Sequence, residues 1–163
     1  MTWAKYKVGD FTPDLKNMAR NLKLDPFVYY ENFSGKITGL GASILLGYSM
    51  EWLWGNVTVV APSRNVDGLF TGCEKFVYLE NYDRQTGFNE YLPSPERLIC
   101  DFLMYPEELK FNRYYWDVLE GYIDDDETPN NFNEVYAMLD YFEVDRKRFD
   151  ETVKRLEAFR ELC

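Results

Sequence analysis

The chain has 163 residues, of which 46% are hydrophobic and 18% aromatic, so it can bury a full domain core, and intrinsic disorder is excluded. No stretch approaches the roughly 18 consecutive apolar residues of a membrane span, and the N-terminus lacks a signal-peptide pattern, so we expect a cytoplasmic protein without a membrane partner. The complete absence of histidine excludes catalysis and metal binding that depend on an imidazole.

The net charge of −10 is distributed unevenly along the chain. Residues 1–80 contain eight acidic and eight basic residues, whereas residues 81–163 contain twenty acidic and ten basic residues. Negative charge in the second half disfavours direct binding of nucleic acid and favours contact with a protein that has a basic surface. A solvated surface that keeps the protein soluble explains the same charge without any partner.

The first half of the chain predicts a small sheet with a short buried helix. Residues 12–24 have the apolar spacing of an amphipathic helix, and residues 27–30 have the aromatic and β-branched content of a strand. Residues 38–48 are small or apolar on nearly all sides, which is typical of a helix packed inside a core. Further strands are predicted at residues 56–62 and 74–80, and residues 86–91 predict a turn, which includes Gly87, followed by another short strand.

The glycines of this half and the three cysteines of the chain do not form a recognisable cofactor site. The sequence around Gly39 and Gly41 lacks both the Gly-Lys-Ser/Thr of a P-loop and the G-x-G-x-x-G of a dinucleotide-binding fold. Cys73, Cys100 and Cys163 lack metal-ligand spacing, and we expect reduced thiols. The sequence therefore predicts no cofactor and no metal centre.

A helix start is predicted where the sheet-forming half ends. Ser94 can cap the helix by accepting a backbone N–H, Pro95 suits the first helical position, and Glu96 faces the positive end of the helix dipole. Arg97 and Asp101 lie one turn apart, on a different face from the apolar stripe of this helix. We interpret Ser94, Glu96, Arg97 and Asp101 as a structural junction between the two halves.

Three or four helices are predicted in the second half, with no flexible linker between them. Apolar residues recur at helical spacing after Pro95, over residues 107–123 and 132–142, and from residue 145 onward, where Phe149, Val153, Leu156 and Phe159 form the apolar stripe. The predicted fold class is α+β, with a small mixed or antiparallel sheet and a buried short helix followed by a C-terminal bundle of three to four helices. We expect one domain over residues 1–163, with a sheet-bearing subdomain at 1–92 and an acidic helical subdomain at 93–163.

The strongest charge run is formed by Asp124, Asp125, Asp126 and Glu127. It lacks the ligand spacing of an EF-hand, so it does not predict a calcium site. Four adjacent like charges repel one another unless they are solvated or neutralised. The run is interpreted as an exposed loop or, alternatively, as a contact for the basic surface of a partner protein.

An enzyme without histidine would need carboxylates as its acid and base or as ligands of Mg²⁺. Glu90, Glu96 and Asp101, near the sheet–helix junction, are the candidates for such a set. Carboxylates at a helix start more commonly stabilise the helix itself, and we expect Arg97 to form a salt bridge with Asp101 or Glu90. The sequence therefore predicts no catalytic residue.

Two segments of the chain carry a resemblance to a known family. The first is Ile-Thr-Gly-Leu-Gly-Ala-Ser-Ile-Leu-Leu-Gly-Tyr at residues 37–48, followed by Val-Thr-Val-Val-Ala-Pro at residues 57–62. The second is Leu-Pro-Ser-Pro-Glu-Arg-Leu-Ile-Cys-Asp at residues 92–101. Together they resemble the small-residue helix, the following strand and the Ser/Thr-Pro-Glu-Arg strand-to-helix motif of the AbiEi-type antitoxin and transcriptional-regulator family.

That family consists of bacterial type IV antitoxins, which typically carry an N-terminal winged-helix DNA-binding domain and counter a nucleotidyltransferase toxin. The resemblance covers residues 35–125, and the residues before it are too few for a complete winged helix. The resemblance therefore implies the protein-interaction part of such an antitoxin. It does not predict a DNA-binding domain that would bind a promoter.

The leading functional prediction is a non-enzymatic antitoxin-like or defence-associated protein that acts by protein–protein contact through its acidic helical half. Its expected partner is a protein with a basic surface, such as a toxin, a nuclease or a regulator. The alternative is an acidic inhibitor, for example one encoded by a phage, that occupies the basic groove of a nuclease or regulator as a nucleic-acid decoy.

Overall fold

A computed structural model describes residues 36–50, 57–60, 74–89, 92–125 and 131–162. The helix predicted at residues 12–24 and the strand predicted at residues 27–30 lie outside these ranges. The elements within them, in chain order, are β1 Lys36–Thr38, α1 Gly39–Leu45, β2 Val57–Val60, β3 Glu74–Val77, β4 Phe88–Asn89, β5 Leu92–Pro93, α2 Pro95–Met104, α3 Phe111–Asp124, α4 Asn133–Tyr141 and α5 Arg146–Glu161.

The strands form one three-stranded sheet and one two-stranded ribbon. β2 lies between β1 and β3, antiparallel to β1 with Ile37 opposite Val59, and parallel to β3 with Val59 opposite Phe76. β4 and β5 form the antiparallel ribbon that leads directly into α2. The predicted α+β class is confirmed, and of the two alternatives left open for the larger sheet the mixed one is present.

The short helix α1 is buried along its whole length. Its end is a Schellman motif, in which the N–H of Gly47 donates to the carbonyl of Ile44 and the N–H of Tyr48 donates to the carbonyl of Ser43. Gly47 adopts a φ of 85°, which glycine tolerates and other residues do not favour. The helix predicted at residues 38–48 is therefore present but shorter, because Thr38 belongs to β1.

α2 occupies the centre of the protein, in contact with α1, α3, α4 and β5. The hydroxyl of Ser94 accepts a hydrogen bond from the N–H of Arg97 at 3.1 Å, and Pro95 takes the first helical position, as predicted. Residues 95–103 are all buried, including Arg97 and Asp101. The sequence pattern divided this helix into an apolar stripe and a second face, but neighbouring elements cover both faces.

α3 and α4 pack against α2, and α5 packs against α3 and α4, so that α2–α5 form the predicted C-terminal bundle with four helices. The aromatic stripe of α3 is core, since Tyr115 and Tyr122 have no exposed surface. α3 begins at Phe111 rather than at residue 107, because residues 106–110 form turns and Lys110 adopts a left-handed φ of 54°. Within the apolar stripe predicted for α5, Phe149 and Leu156 are buried, whereas 65% of the Phe159 side chain is exposed.

No helix in the described part of the chain is both long and apolar enough to cross a membrane.

Candidate functional site

Arg97 and Asp101 form an ion pair in the centre of the protein. Nε of Arg97 donates to Oδ1 of Asp101 at 2.7 Å, and neither side chain has exposed surface. The guanidinium also donates from Nη1 to the backbone carbonyl of Thr86 at 2.6 Å, in the turn that precedes β4. The salt bridge that the one-turn spacing allowed is therefore present within α2, and the hydrogen bond to Thr86 joins α2 to the turn of the neighbouring ribbon.

The second oxygen of Asp101 accepts hydrogen bonds from two other parts of the chain. The hydroxyl of Thr38, at the end of β1, donates to Oδ2 at 2.6 Å, and the Tyr82 hydroxyl donates to the same atom. Burial raises the pKa of Asp101 above its ordinary value, while Arg97, Thr38 and Tyr82 oppose this shift by stabilising the carboxylate. Tyr82 lies in the loop between β3 and β4, which we call the Tyr82 loop. The two oxygens of Asp101 thus hold β1, the Tyr82 loop and α2 together.

Aromatic rings enclose the guanidinium of Arg97. Its central carbon lies 4.5 Å from the ring centroid of Phe142, 4.7 Å from that of Tyr82 and 5.0 Å from that of Phe88. Nη2 is buried and has no hydrogen-bond acceptor among the described residues, so its electrostatic stabilisation comes from these ring faces. Because Phe142 follows α4, the enclosure also joins α4 to α2.

A glycine permits the close approach of the ribbon to Arg97. Gly87 adopts a φ of 82°, and a Cβ added there would lie 2.7 Å from Cβ of Arg97, which is closer than side chains tolerate. The turn formed by Thr86 and Gly87 therefore presents its carbonyl to Arg97 only because position 87 has no side chain.

Glu96 lies beside this cluster but belongs to a separate one. Its side chain is 2% exposed, and its Oε1 accepts a hydrogen bond from the hydroxyl of Tyr122 on α3 at 3.1 Å. Glu134, in the first turn of α4, provides the neighbouring carboxyl group. Burial and the contact with Glu134 raise the pKa of Glu96 to about 7.

The two glutamates line a cavity of about 320 Å³ between the ribbon, α2 and α4. The cavity is also lined by Ser94, Thr86 and Tyr141. Oε2 of Glu134 is buried and has no hydrogen-bond donor among the described residues, and the carboxyl group of Glu134 neighbours that of Glu96. Two carboxyl groups can form a hydrogen bond to each other only when one of them carries a proton.

The three carboxylates considered for catalysis are not gathered in one cleft by the described residues. Glu90 lies outside those residues, and Glu96 and Asp101 belong to separate clusters with different partners. Within the described ranges, no group of three or more Cys, Asp or Glu side chains is placed to hold a metal ion. Cys100 is buried, and burial raises its pKa, so its thiol is neutral and inaccessible.

The acidic run at residues 124–127 is described only in its first half. Asp124 is the last residue of α3 rather than part of a loop, and its Oδ2 accepts a hydrogen bond from Nη2 of Arg160 at 2.9 Å. Asp125 is the half-buried residue that caps α3. Asp126 and Glu127 lie outside the described residues. The charge of Asp124 is therefore partly neutralised within the chain.

The negative charge is concentrated in a narrower region than the whole helical half. Residues 107–145, which we call the acidic segment, contain twelve acidic and two basic residues, so this segment carries a net charge of −10 and the rest of the chain is neutral overall. α5, in contrast, contains six basic and four acidic residues. The exposed acidic side chains of the segment are Glu107, Glu108, Asp117, Glu120, Asp124, Asp140, Glu143 and Asp145.

An apolar groove of about 620 Å³ lies between α3 and α5, beside the acidic segment. We call it the α3–α5 groove. Glu120 and Arg155 contribute its charged groups, and the guanidinium of Arg155 lies 5.1 Å from the ring centroid of Trp116. Its apolar lining is formed by Trp116, Leu156, Ala158, Phe159 and Leu162.

Several residues of these clusters were not identified from the sequence. Thr38 is 63 positions from Asp101, and Glu134 is 38 positions from Glu96, so no local pattern connects them. Gly87 was recognised only as part of a turn. Tyr82 and Tyr122 are two of thirteen tyrosines, and nothing in their immediate sequence separates them from the others.

No protein-family model matches this chain, and no curated protein has significant similarity to it. The resemblance to AbiEi-type antitoxins therefore remains a prediction.

Proposed function

We propose that this protein is a non-enzymatic, antitoxin-like interaction protein that binds a basic partner protein through the acidic segment. The observation that carries the proposal is the concentration of a net charge of −10 in residues 107–145, with eight of the acidic side chains exposed. Such a field attracts a basic surface and repels nucleic-acid phosphates. The antitoxin-like character rests on the motifs at residues 37–48, 57–62 and 92–101.

The α3–α5 groove supports the same proposal with an apolar component. Phe159 is 65% exposed and Leu162 is 86% exposed, and both line the groove together with Trp116. Protein interfaces commonly combine an apolar anchor with complementary charge around it. The partner that fits is therefore a protein whose basic surface carries an apolar side chain able to enter the groove.

The experiment compares two variants that remove the same number of charges from different regions. In the first, Glu107, Glu108 and Glu143 are changed to Gln, because these side chains are exposed and form no ion pair with described residues. In the control, Glu151, Glu157 and Glu161 of α5 are changed to Gln. Both variants and the unmodified protein are used to capture partners from the native host at low and moderate salt.

We expect the unmodified protein and the α5 variant to retain the same basic protein at low salt. The acidic-segment variant should bind it about tenfold more weakly, and moderate salt should weaken binding to the unmodified protein because exposed charges are screened. Equal binding by both variants, or binding that is independent of salt, would contradict the proposal.

The acidic segment also fits the second candidate function, a decoy that occupies the nucleic-acid groove of a nuclease or regulator. A segment with twelve carboxylates and two basic residues presents charge of the same sign as a phosphate backbone. Competition separates the two functions: a decoy is displaced from its partner by duplex DNA, whereas an antitoxin that contacts another surface remains bound.

A further inference from the structure

Glu96 lies where three helices meet, and its surroundings contain no described cation that would neutralise it. It stands in the first turn of α2, Tyr122 reaches it from α3, and Glu134 reaches it from α4. Among the described residues, no basic side chain forms an ion pair with either glutamate. A buried carboxylate without a cation is costly, and a second carboxylate beside it increases that cost.

The position of Glu134 indicates how the cost is avoided. Its Oε2 is buried and has no donor among the described residues, whereas Oε1 of Glu96 already accepts a hydrogen bond from Tyr122. A proton on either carboxyl group would satisfy this oxygen and remove one of the two charges. Buried polar atoms are nearly always satisfied, so the geometry favours a protonated pair.

We propose that Glu96 and Glu134 share one proton that joins α2 to α4, and that release of this proton as the pH rises loosens α4. The pair then carries two charges in a cavity that holds no described cation. α4 lies within the acidic segment and is followed by Phe142, whose ring lies over Arg97. The shared proton therefore makes the placement of this part of the acidic segment dependent on pH.

The other titratable groups near Glu96 and Glu134 do not explain a pH-dependent loosening of α4. Tyr122 faces Glu96 from α3, and burial raises its pKa, so it remains a protonated donor. Asp125, at the end of α3, adds a negative charge near Tyr122, and Cys100 on α2 is a neutral buried thiol. Each of these groups either stays neutral or disfavours a second charge on the pair.

The raised pKa of Glu96 determines whether the stability of the folded protein rises or falls with pH. In the folded protein this pKa is about 7, compared with an ordinary value of 4.5, so the folded state holds the proton more tightly than the unfolded state. The resulting stability is fully present below pH 4.5 and is lost as the pH rises through 7. At pH 8 the equilibrium constant for unfolding should exceed its value at pH 5 by about a hundredfold from this pair.

The first measurement is urea unfolding at pH 5 and pH 8 for the unmodified protein, Glu96→Gln, Glu134→Gln and the control Glu151→Gln. Gln at position 96 can accept from Tyr122 and donate to Glu134 without titrating, so Glu96→Gln should lose the hundredfold change and be more stable than the unmodified protein at pH 8. Glu151 is exposed on α5, and its variant should keep the change. A pH dependence that Glu96→Gln retains in full would overturn the proposal.

The second measurement does not depend on whether a variant folds. Carbon NMR of the side-chain carboxyl groups in the unmodified protein should show Glu96 titrating with a midpoint near pH 7. Backbone hydrogen exchange, corrected for the intrinsic exchange rate at each pH, should show that α4 opens more often at pH 8 than at pH 5. α5 serves as the internal reference for this comparison. An ordinary midpoint for both glutamates, or equal opening of α4 and α5 at both pH values, would also overturn it.

Discussion

Two of the arginine–aspartate ion pairs among the described residues have nearly equal lengths but lie in opposite environments. Arg97 and Asp101 are 2.7 Å apart and have no exposed surface. Arg160 and Asp124 are 2.9 Å apart, with 39% and 57% of their side chains exposed. The inner pair has additional partners from β1, from Tyr82 and from the turn at Thr86, whereas among the described residues Arg160 reaches one further carboxylate, the exposed Glu120, at 4.0 Å.

Because the two distances are nearly equal, we expect the environment rather than the distance to decide how much each pair contributes to the stability of the fold. In the interior, charges that have lost their water need a complete set of partners, so removing one partner leaves the other charge uncompensated. At the surface, water and salt replace a lost partner at little cost. The inner pair therefore acts as a junction between elements, and the outer pair leaves the acidic segment only partly neutralised.

The largest effect is expected from Asp101→Asn, which keeps the shape of the side chain but leaves Arg97 without its counterion. We expect a loss of about 3–5 kcal/mol in the free energy of unfolding, because a buried charge without a partner is strongly destabilising. Urea or guanidinium unfolding at pH 7 measures it. A loss below about 1 kcal/mol would mean that the aromatic rings alone stabilise the buried guanidinium.

An intermediate effect is expected from Gly87→Ala, compared with Gly47→Ala. Both glycines have a positive φ, 82° and 85°, so alanine introduces similar backbone strain at each. Only Gly87 has Arg97 within the space of a Cβ, whereas nothing lies within 4 Å of a Cβ at Gly47. We expect Gly87→Ala to be more destabilising by about 1–3 kcal/mol, measured by thermal or urea unfolding. Equal losses would show that the ribbon can move away from Arg97 freely.

The smallest effect is expected from Asp124→Asn, the same chemical change as Asp101→Asn but at the surface. We expect a loss of less than about 1 kcal/mol at low salt, and a still smaller loss at high salt, because the pair is exposed and screened. Unfolding measured at both salt concentrations tests this. A loss comparable to that of Asp101→Asn would contradict the role assigned to burial.

The fold could be predicted well where the signal was local. The capped start of α2 at Ser94, the small-residue helix α1 and the aromatic stripe of α3 all depend on residues within a few positions of one another. The start of α3 could not be predicted, because the left-handed conformation of Lys110 has no reliable signature in the side chain. The exposure of Phe159 could not be predicted either, since helical spacing does not show which positions of an apolar stripe a neighbouring element covers.

For the candidate sites too, only properties of composition and of local spacing could be predicted from the sequence. Charge, cysteine spacing and the absence of histidine are properties of composition, and they limited the chemistry available to the chain before any packing was known. The one-turn spacing of Arg97 and Asp101 likewise allowed their salt bridge to be anticipated. The salt bridge could be anticipated because a one-turn spacing depends neither on the order of the helices in space nor on the identity of distant neighbours.

Packing alone determined that Arg97 and Asp101 are buried and that Thr38 and Tyr82 donate hydrogen bonds to Asp101. It also determined that Glu134 lies beside Glu96. These contacts join residues separated by tens of positions, and they form only when β1, the ribbon and α4 are all placed around α2. The energy of a charged side chain depends on the water it loses and the partners it gains, and both are set by that arrangement. An identical arginine–aspartate pair is therefore a junction at the centre of this protein and a weak contact at its surface.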